Sequence, residues 1–149
     1  RTSVGTAGIA ALRKLPLEDL DISEASGITD ETLEIVGQMN SLKRLNLWRD
    51  TVGDAGVAHL AGLTELVWLI LDNTQLTDAG LPYLAGLTKL KFLHLGSTPV
   101  TDAGMPSLVS LKSLMDLKVT RTAVTEAGVE VIRQSIPGID IQLKYIEGQ

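Results

Sequence analysis

A 24-residue period runs through this chain and limits its folding options more than any local propensity does. Residues 66–89 read LVWLILDNTQLTDAGLPYLAGLTK, and the blocks at 42–65 and 90–113 nearly reproduce them. The period extends almost from end to end. One apolar column is Val4, Ile28, Val52, Leu76, Val100 and Val124. Another is Leu12, Val36, Leu60, Leu84, Leu108 and Ile132. Between them runs Gly8, Gly56, Gly80, Gly104 and Gly128, with Thr32 as the exception. A unit this short cannot close a core alone, so neighbouring units must stack and share one.

Each unit changes periodicity half-way. Leu42, Leu45 and Leu47 alternate with polar residues, as do Leu66/Leu69/Leu71, Leu90/Leu93/Leu95 and Leu114/Leu117/Val119. A spacing of two is the mark of a strand with one buried face. The following segment spaces its apolar residues by three, as at Val57, Leu60 and Leu63, which suits α or 3₁₀ turns. The expected fold class is α/β: a solenoid with a parallel sheet of six short strands on one side and six short helical segments on the other. Residues 1–149 form one domain. Residues 1–16 are a partial unit without its strand. Units follow at 17–41, 42–65, 66–89, 90–113 and 114–137, then a strand and tail at 138–149. The first strand, around Leu20, sits one residue early, so a wider turn is expected within Ser23–Gly27. Pro137-Gly138 obscures the register of a last strand near Ile139–Leu143.

Thr29, Thr77, Thr101 and Thr125 stand where a hydroxyl can cap a helix. The acidic column behind them, Asp30, Asp54, Asp78, Asp102 and Glu126, suits the positive end of the helix dipole. Carboxylates one repeat apart do not converge as metal ligands must, so no metal site is expected. The glycine column reads as close packing or special backbone angles. It lacks the Gly-Lys-Ser/Thr element of a phosphate loop. Pro82 and Pro106 are expected near the first turn, where a missing N–H costs least; if they fall later, distorted or 3₁₀ turns are expected.

The pattern L-x-x-L-x-L-x-x-T-x-[VL]-T-D-A-G-[LM]-x-x-L-x-x-L is carried by Leu66, Leu69, Leu71, Thr74, Leu76, Leu81, Leu84 and Leu87. It resembles the leucine-rich-repeat family over nearly the whole chain. It is close to the bacterial repeats with a T-D-A-G-L segment and similar to the cysteine-containing repeats of F-box proteins. The resemblance implies a curved right-handed superhelix with its sheet on the concave face and its helices on the convex face. It does not imply a particular partner, because the family is defined by its scaffold. The residue after each strand, usually Asn or Cys in the family, is Thr at Thr74, Thr98 and Thr122. Each is expected to bond the backbone of an adjacent turn. Asp50 takes that place in the unit beginning at Leu42, and Gly53 replaces the capping Thr, so that unit is expected to have the least regular turn.

The chain has 149 residues, no cysteine and a net charge of −5. Disulfides and thiolate chemistry are excluded. No basic stripe is present to follow a phosphate backbone, so nucleic acid is not an expected partner. Every apolar run is broken by charges or glycine, so no membrane insertion is expected. The opening Arg-Thr-Ser suggests a processed or excised piece. The half-unit at the start and the weak last strand suggest end-to-end homodimers through uncapped repeats, which sedimentation at rising concentration would detect.

Residues between the strand leucines face away from the core in three columns. The first is Asp19, Arg44, Trp68, Phe92 and Asp116; the second is Asp21, Asn46, Ile70, His94 and Lys118. The third is Ser23, Trp48, Asp72, Gly96 and Thr120. Both tryptophans and the only phenylalanine fall here, on a face expected to be solvated, although a core normally claims such residues first. Trp48, Trp68, Ile70, Phe92 and His94 form a candidate patch rimmed by Arg44, Arg49, Asp72, Asp116 and Lys118. Exposed clusters of this composition are characteristic of interfaces. The expected function is non-catalytic binding of a protein or peptide on the sheet face, with no cofactor. One alternative is a structural or assembly segment of a larger multidomain protein with its function elsewhere, the rings only covering the sheet, packing on each other or being buried by flanking sequence. The other is a hydrolase-like site around His94 with Asp72 or Asp116. The second lacks a nucleophile, since cysteine is absent and Ser97 falls in the turn.

Overall fold

The computed structural model describes residues 4–144. Residues 1–3 of the partial first unit and 145–149 of the tail lie outside the described residues. Six parallel strands form one sheet in sequence order: β1 (Asp19–Asp21), β2 (Arg44–Asn46), β3 (Trp68–Ile70), β4 (Phe92–His94), β5 (Asp116–Lys118) and β6 (Asp140–Gln142). From β2 onward the register follows the sequence period, pairing Leu45 with Leu69, Leu69 with Leu93 and Leu93 with Leu117. The last strand keeps this spacing, with Asp116 opposite Asp140. Only β1 is offset, pairing Asp19 with Arg44. The extra residue is Ser26, between buried Ala25 and the bridge from Gly27 to Gly5, inside the turn expected from the sequence.

The central strand leucines are fully buried from β2 to β5, with the flanking columns of Leu47, Leu71 and Leu95. They meet Leu60, Leu84, Leu108 and Ile132 from the helical side in one core. The helical parts are α1 (Thr6–Leu12), α2 (Asp30–Val36), α3 (Asp54–Ala58) with a 3₁₀ turn at His59–Gly62, 3₁₀ segments at Leu81–Leu84 and Asp102–Leu108, and α4 (Glu126–Ser135). The two units that are wholly 3₁₀ are those containing Pro82 and Pro106. Proline has no N–H for an i→i−4 bond, so the α ladder cannot form across it.

The Thr-Asp-x-Gly motif joins units rather than acting only within them. The hydroxyls of Thr77, Thr101 and Thr125 donate to Asp54, Asp78 and Asp102 of the preceding units at 2.5, 2.6 and 2.6 Å. Their backbone amides donate to the other oxygen of the same carboxylates at 2.7–2.8 Å. Each hydroxyl also accepts from an alanine amide of its own turn: Ala79, Ala103 or Ala127. The hydroxyl and then the amide of Thr125 hold the Asp102 carboxyl below its ordinary value. The glycine column makes room for these aspartates. A Cβ on Gly56, Gly80, Gly104 or Gly128 would overlap the carboxylate of Asp30, Asp54, Asp78 or Asp102.

Thr32, the exception in that column, has a compensating partner. The position equivalent to Asp30 one unit earlier is Thr6, and the two hydroxyls bond at 2.8 Å. The Thr29 amide, lacking an upstream carboxylate, donates to Thr32 Oγ1 instead. Two threonines thus do at the first junction what Asp and Gly do at the others.

Thr74, Thr98 and Thr122 donate to the carbonyls of Leu71, Leu95 and Val119, within their own turns, at 2.6–2.7 Å. Asp50 differs in side chain but not in backbone. Arg49 beside it has φ 61°, against 58°, 53° and 54° at Asn73, Ser97 and Arg121. At that residue the turn keeps the backbone angle of the neighbouring units. The departure is chemical: Asp50 is buried, one carboxylate oxygen accepts from the Ala25 amide at 3.1 Å, and the other has no partner.

Candidate functional site

The parallel register brings the non-leucine strand residues side by side. Arg44, Trp68, Phe92 and Asp116 are successive partners in one row, and Asn46, Ile70, His94 and Lys118 in the next. Trp48 and Asp72 follow one position past the buried Leu47 and Leu71. All nine candidate residues are therefore gathered on one face.

Their packing is closer than the sequence suggests. Trp68 and Phe92 stack with ring centroids 5.2 Å apart and planes 15° from parallel. The Arg44 guanidinium covers the Trp68 ring at 4.3 Å and bonds Asp19 at 3.2 Å. Lys118 lies 5.6 Å from the Phe92 centroid, and His94 meets the Phe92 ring edge-on. A ring pair and its cation contacts each contribute about 0.5–1.5 kcal/mol. The row stabilises itself, and Trp68, Ile70 and Phe92 are half-buried rather than solvated. Packing of the rings on each other is thus real. Being half-buried, both rings keep part of their surface accessible.

Trp48 is the most exposed of the three large rings at 36% and makes no ring contact with the stacked pair. Arg49 lies over it at 5.4 Å and bonds Glu24 at 3.2 Å. With Ile70, Asp72 and His94 it lines an open cleft of about 620 Å³. Gly96 forms the close approach between Asp72, His94 and Thr120, where any Cβ would crowd all three side chains. Burial pushes the Asp72 carboxyl up, against the opposing pull of His94, the Trp48 indole N–H and Arg121. Burial holds the His94 imidazole below its usual value despite Asp72, so it is neutral at pH 7. Its Nε2 is 3.7 Å from Asp72 Oδ1, beyond hydrogen-bonding distance. Ser97 lines the same cleft but makes no hydrogen bond to His94. Among the described residues, His94, Asp72 and Ser97 are not joined by hydrogen bonds.

No family model matches the sequence, and no curated protein matches it. Solved structures match in shape. A leucine-rich-repeat protein of Leptospira interrogans superposes with a TM-score of 0.73 at 20% identity, covering 96% of this chain and 41% of that one. The chain has the leucine-rich-repeat fold. An internalin of Listeria monocytogenes gives 0.57 at 17% identity, covering 95% of this chain and 44% of that one. Internalin C2 of the same organism gives 0.51 at 20% identity, covering 97% and 78%. The chain thus spans less than half the length of the first two.

Within this leucine-rich-repeat frame, Asn46, which stands in the second strand column but is not among the candidate residues, also lines the cleft, and so do Asn73, Ser97 and Arg121, which lie outside the strand columns. Asn73, Ser97 and Arg121 share the repeat position of Arg49, and these three and Arg49 have left-handed backbone. Glycine would flag such a position in a sequence, and none stands there. The available signal was the period itself: the column continues one residue past Trp48, Asp72 and Gly96.

Proposed function

We propose that this chain is a non-catalytic module that binds a protein or peptide on its sheet face. Arg44, Trp68, Ile70, Phe92 and Lys118 form the floor, and Trp48, Asp72 and His94 form a side cleft. The observation that carries the reading is where the repeat breaks down. Leucine, threonine, aspartate and glycine columns recur through the middle units, whereas the outward strand positions change from unit to unit. Conserving the scaffold does not require a stacked Trp68–Phe92 pair between two cations. Ordered aromatics and arginine near the centre of a face are the usual energetic anchors of interfaces. The sequence likeness to bacterial T-D-A-G-L repeats and to F-box-type repeats supports the same use of the scaffold.

The test is selection of peptides from a displayed random library on the intact chain, followed by affinity measurement on variants. Trp68→Ala and Phe92→Ala are each expected to weaken selected peptides by about tenfold. Melting temperature should fall by only a few degrees, because neither ring belongs to the leucine core. Unchanged affinity, or loss of folding in both variants, would reduce the rings to a structural role.

A further inference from the structure

We infer that the bound segment is an extended peptide with an apolar side chain on the Trp68–Phe92 pair and a lysine or arginine about three residues away, over Asp116 and Asp140. This deepens the sheet-face reading and rests on it. The first row continues past Phe92 to Asp116 and then Asp140, which are direct register partners on adjacent strands. Like charges placed opposite each other in a sheet repel. Among the described residues neither carboxylate forms an ion pair, and the nearby Lys118 lies over the Phe92 ring.

The opposite end of the row is different. Arg44 is already engaged by Asp19 and by the Trp68 ring, so it offers little to an acidic ligand. The row therefore has a direction, from a neutralised end through an aromatic centre to a negative end without an ion pair among the described residues, although Arg133 and Lys144 line the same cleft as Asp140. Its polarity agrees with the net charge of −5 on the whole chain. A cationic side chain from the partner would lower the repulsion and add a charge-assisted contact. The spacing follows from strand geometry. The centres of the ring pair and the carboxylate pair are two strand separations apart, about 10 Å; in an extended polyproline-II segment, with three residues per turn and a rise of about 3.1 Å, side chains three residues apart share a face and span about 9 Å.

The experiment uses the same displayed library, then synthetic peptides from its enriched sequences, titrated at low and high salt. The selected sequences should share an apolar residue and a Lys or Arg three positions away. Asp116→Asn and Asp140→Asn should each weaken them by about fivefold to tenfold. The same losses should follow replacement of the peptide's basic residue by glutamine, and the two effects should not add. Both variants remove repulsion between a half-buried and an exposed carboxylate, so melting should confirm a folded protein. Peptides that need Trp68 and Phe92 but bind Asp116→Asn and Asp140→Asn unchanged would overturn this inference and leave the sheet-face reading standing. Peptides indifferent to Trp68→Ala and Phe92→Ala, or a selection that enriches none, would overturn both.

Discussion

Gly56→Thr is expected to destabilise the protein by about 3 kcal/mol, and adding Asp30→Thr should recover more than half of that loss. The atoms nearest to a Cβ at Gly56 all belong to Asp30. Asp30 also accepts the Gly53 amide at 2.7 Å, so the new side chain must displace a carboxylate already in use. The first junction shows how the paired change resolves this. There Thr6 and Thr32 occupy the equivalent positions, their hydroxyls bond, and Thr32 accepts the Thr29 amide. In the double variant the Gly53 amide can pass to the introduced hydroxyl three residues on, as Thr29 does. Urea unfolding of the two single variants and the double variant measures the coupling. For a chain of this size 3 kcal/mol corresponds to about 10 °C in melting temperature. Additive losses would mean that the glycine column serves some purpose other than housing the aspartates.

Asp50 gives the second large effect, one that depends on pH. Burial raises its carboxyl to about 7, offset in part by the Ala25 amide and reinforced by Asp21. A group whose folded value lies above its unfolded one contributes its full stability below the unfolded value. That contribution is lost as pH rises through the folded value. Asp50 is thus expected to remove about 3 kcal/mol of stability between about pH 4 and pH 8. Asp50→Asn keeps an acceptor for Ala25 and supplies a donor where one carboxylate oxygen has no partner. It should raise stability at pH 8 and leave it nearly unchanged at pH 4. His94 acts in the opposite sense, since burial lowers its folded value and its stabilising effect is lost on acidification. The difference between the parent and Asp50→Asn at each pH isolates Asp50. Equal stability of the two proteins at pH 8 would mean that water already serves that oxygen.

The solenoid was legible because its determinants repeat. Leu45, Leu69, Leu93 and Leu117 mark both the buried face and the register, since parallel stacking places equivalent residues side by side. The offset of β1 also follows from local counting, whereas the 3₁₀ form of the proline units was only one of two outcomes the sequence allowed. The nine candidate residues share a face for the same reason. What the sequence concealed lies between units. Asp54 can be read as a dipole partner of its own helix, yet its bonds go to Thr77 in the next unit. The glycine column could not be assigned without that contact. The half-burial of Trp68 and Phe92 depends on side-chain rotamers and on Arg44 and Lys118 folding over the rings, which spacing does not specify. The left-handed turn column of Arg49, Asn73, Ser97 and Arg121 is populated by ordinary residues, held there because each turn continues the sheet hydrogen bonds. The amides of Arg49, Asn73 and Ser97 donate to the carbonyls of Asp72, Gly96 and Thr120.

The binding claim meets its most direct test in nuclear magnetic resonance, by titrating a selected peptide into the labelled protein. Binding on the sheet face predicts the largest shifts at the amides of Trp68, Ile70, Phe92 and His94 and at the indole N–H groups of Trp48 and Trp68. The helical side around exposed Tyr83 should stay unmoved. Shifts confined to that helical side, with the Trp68 and Phe92 signals unchanged at saturation, would contradict it.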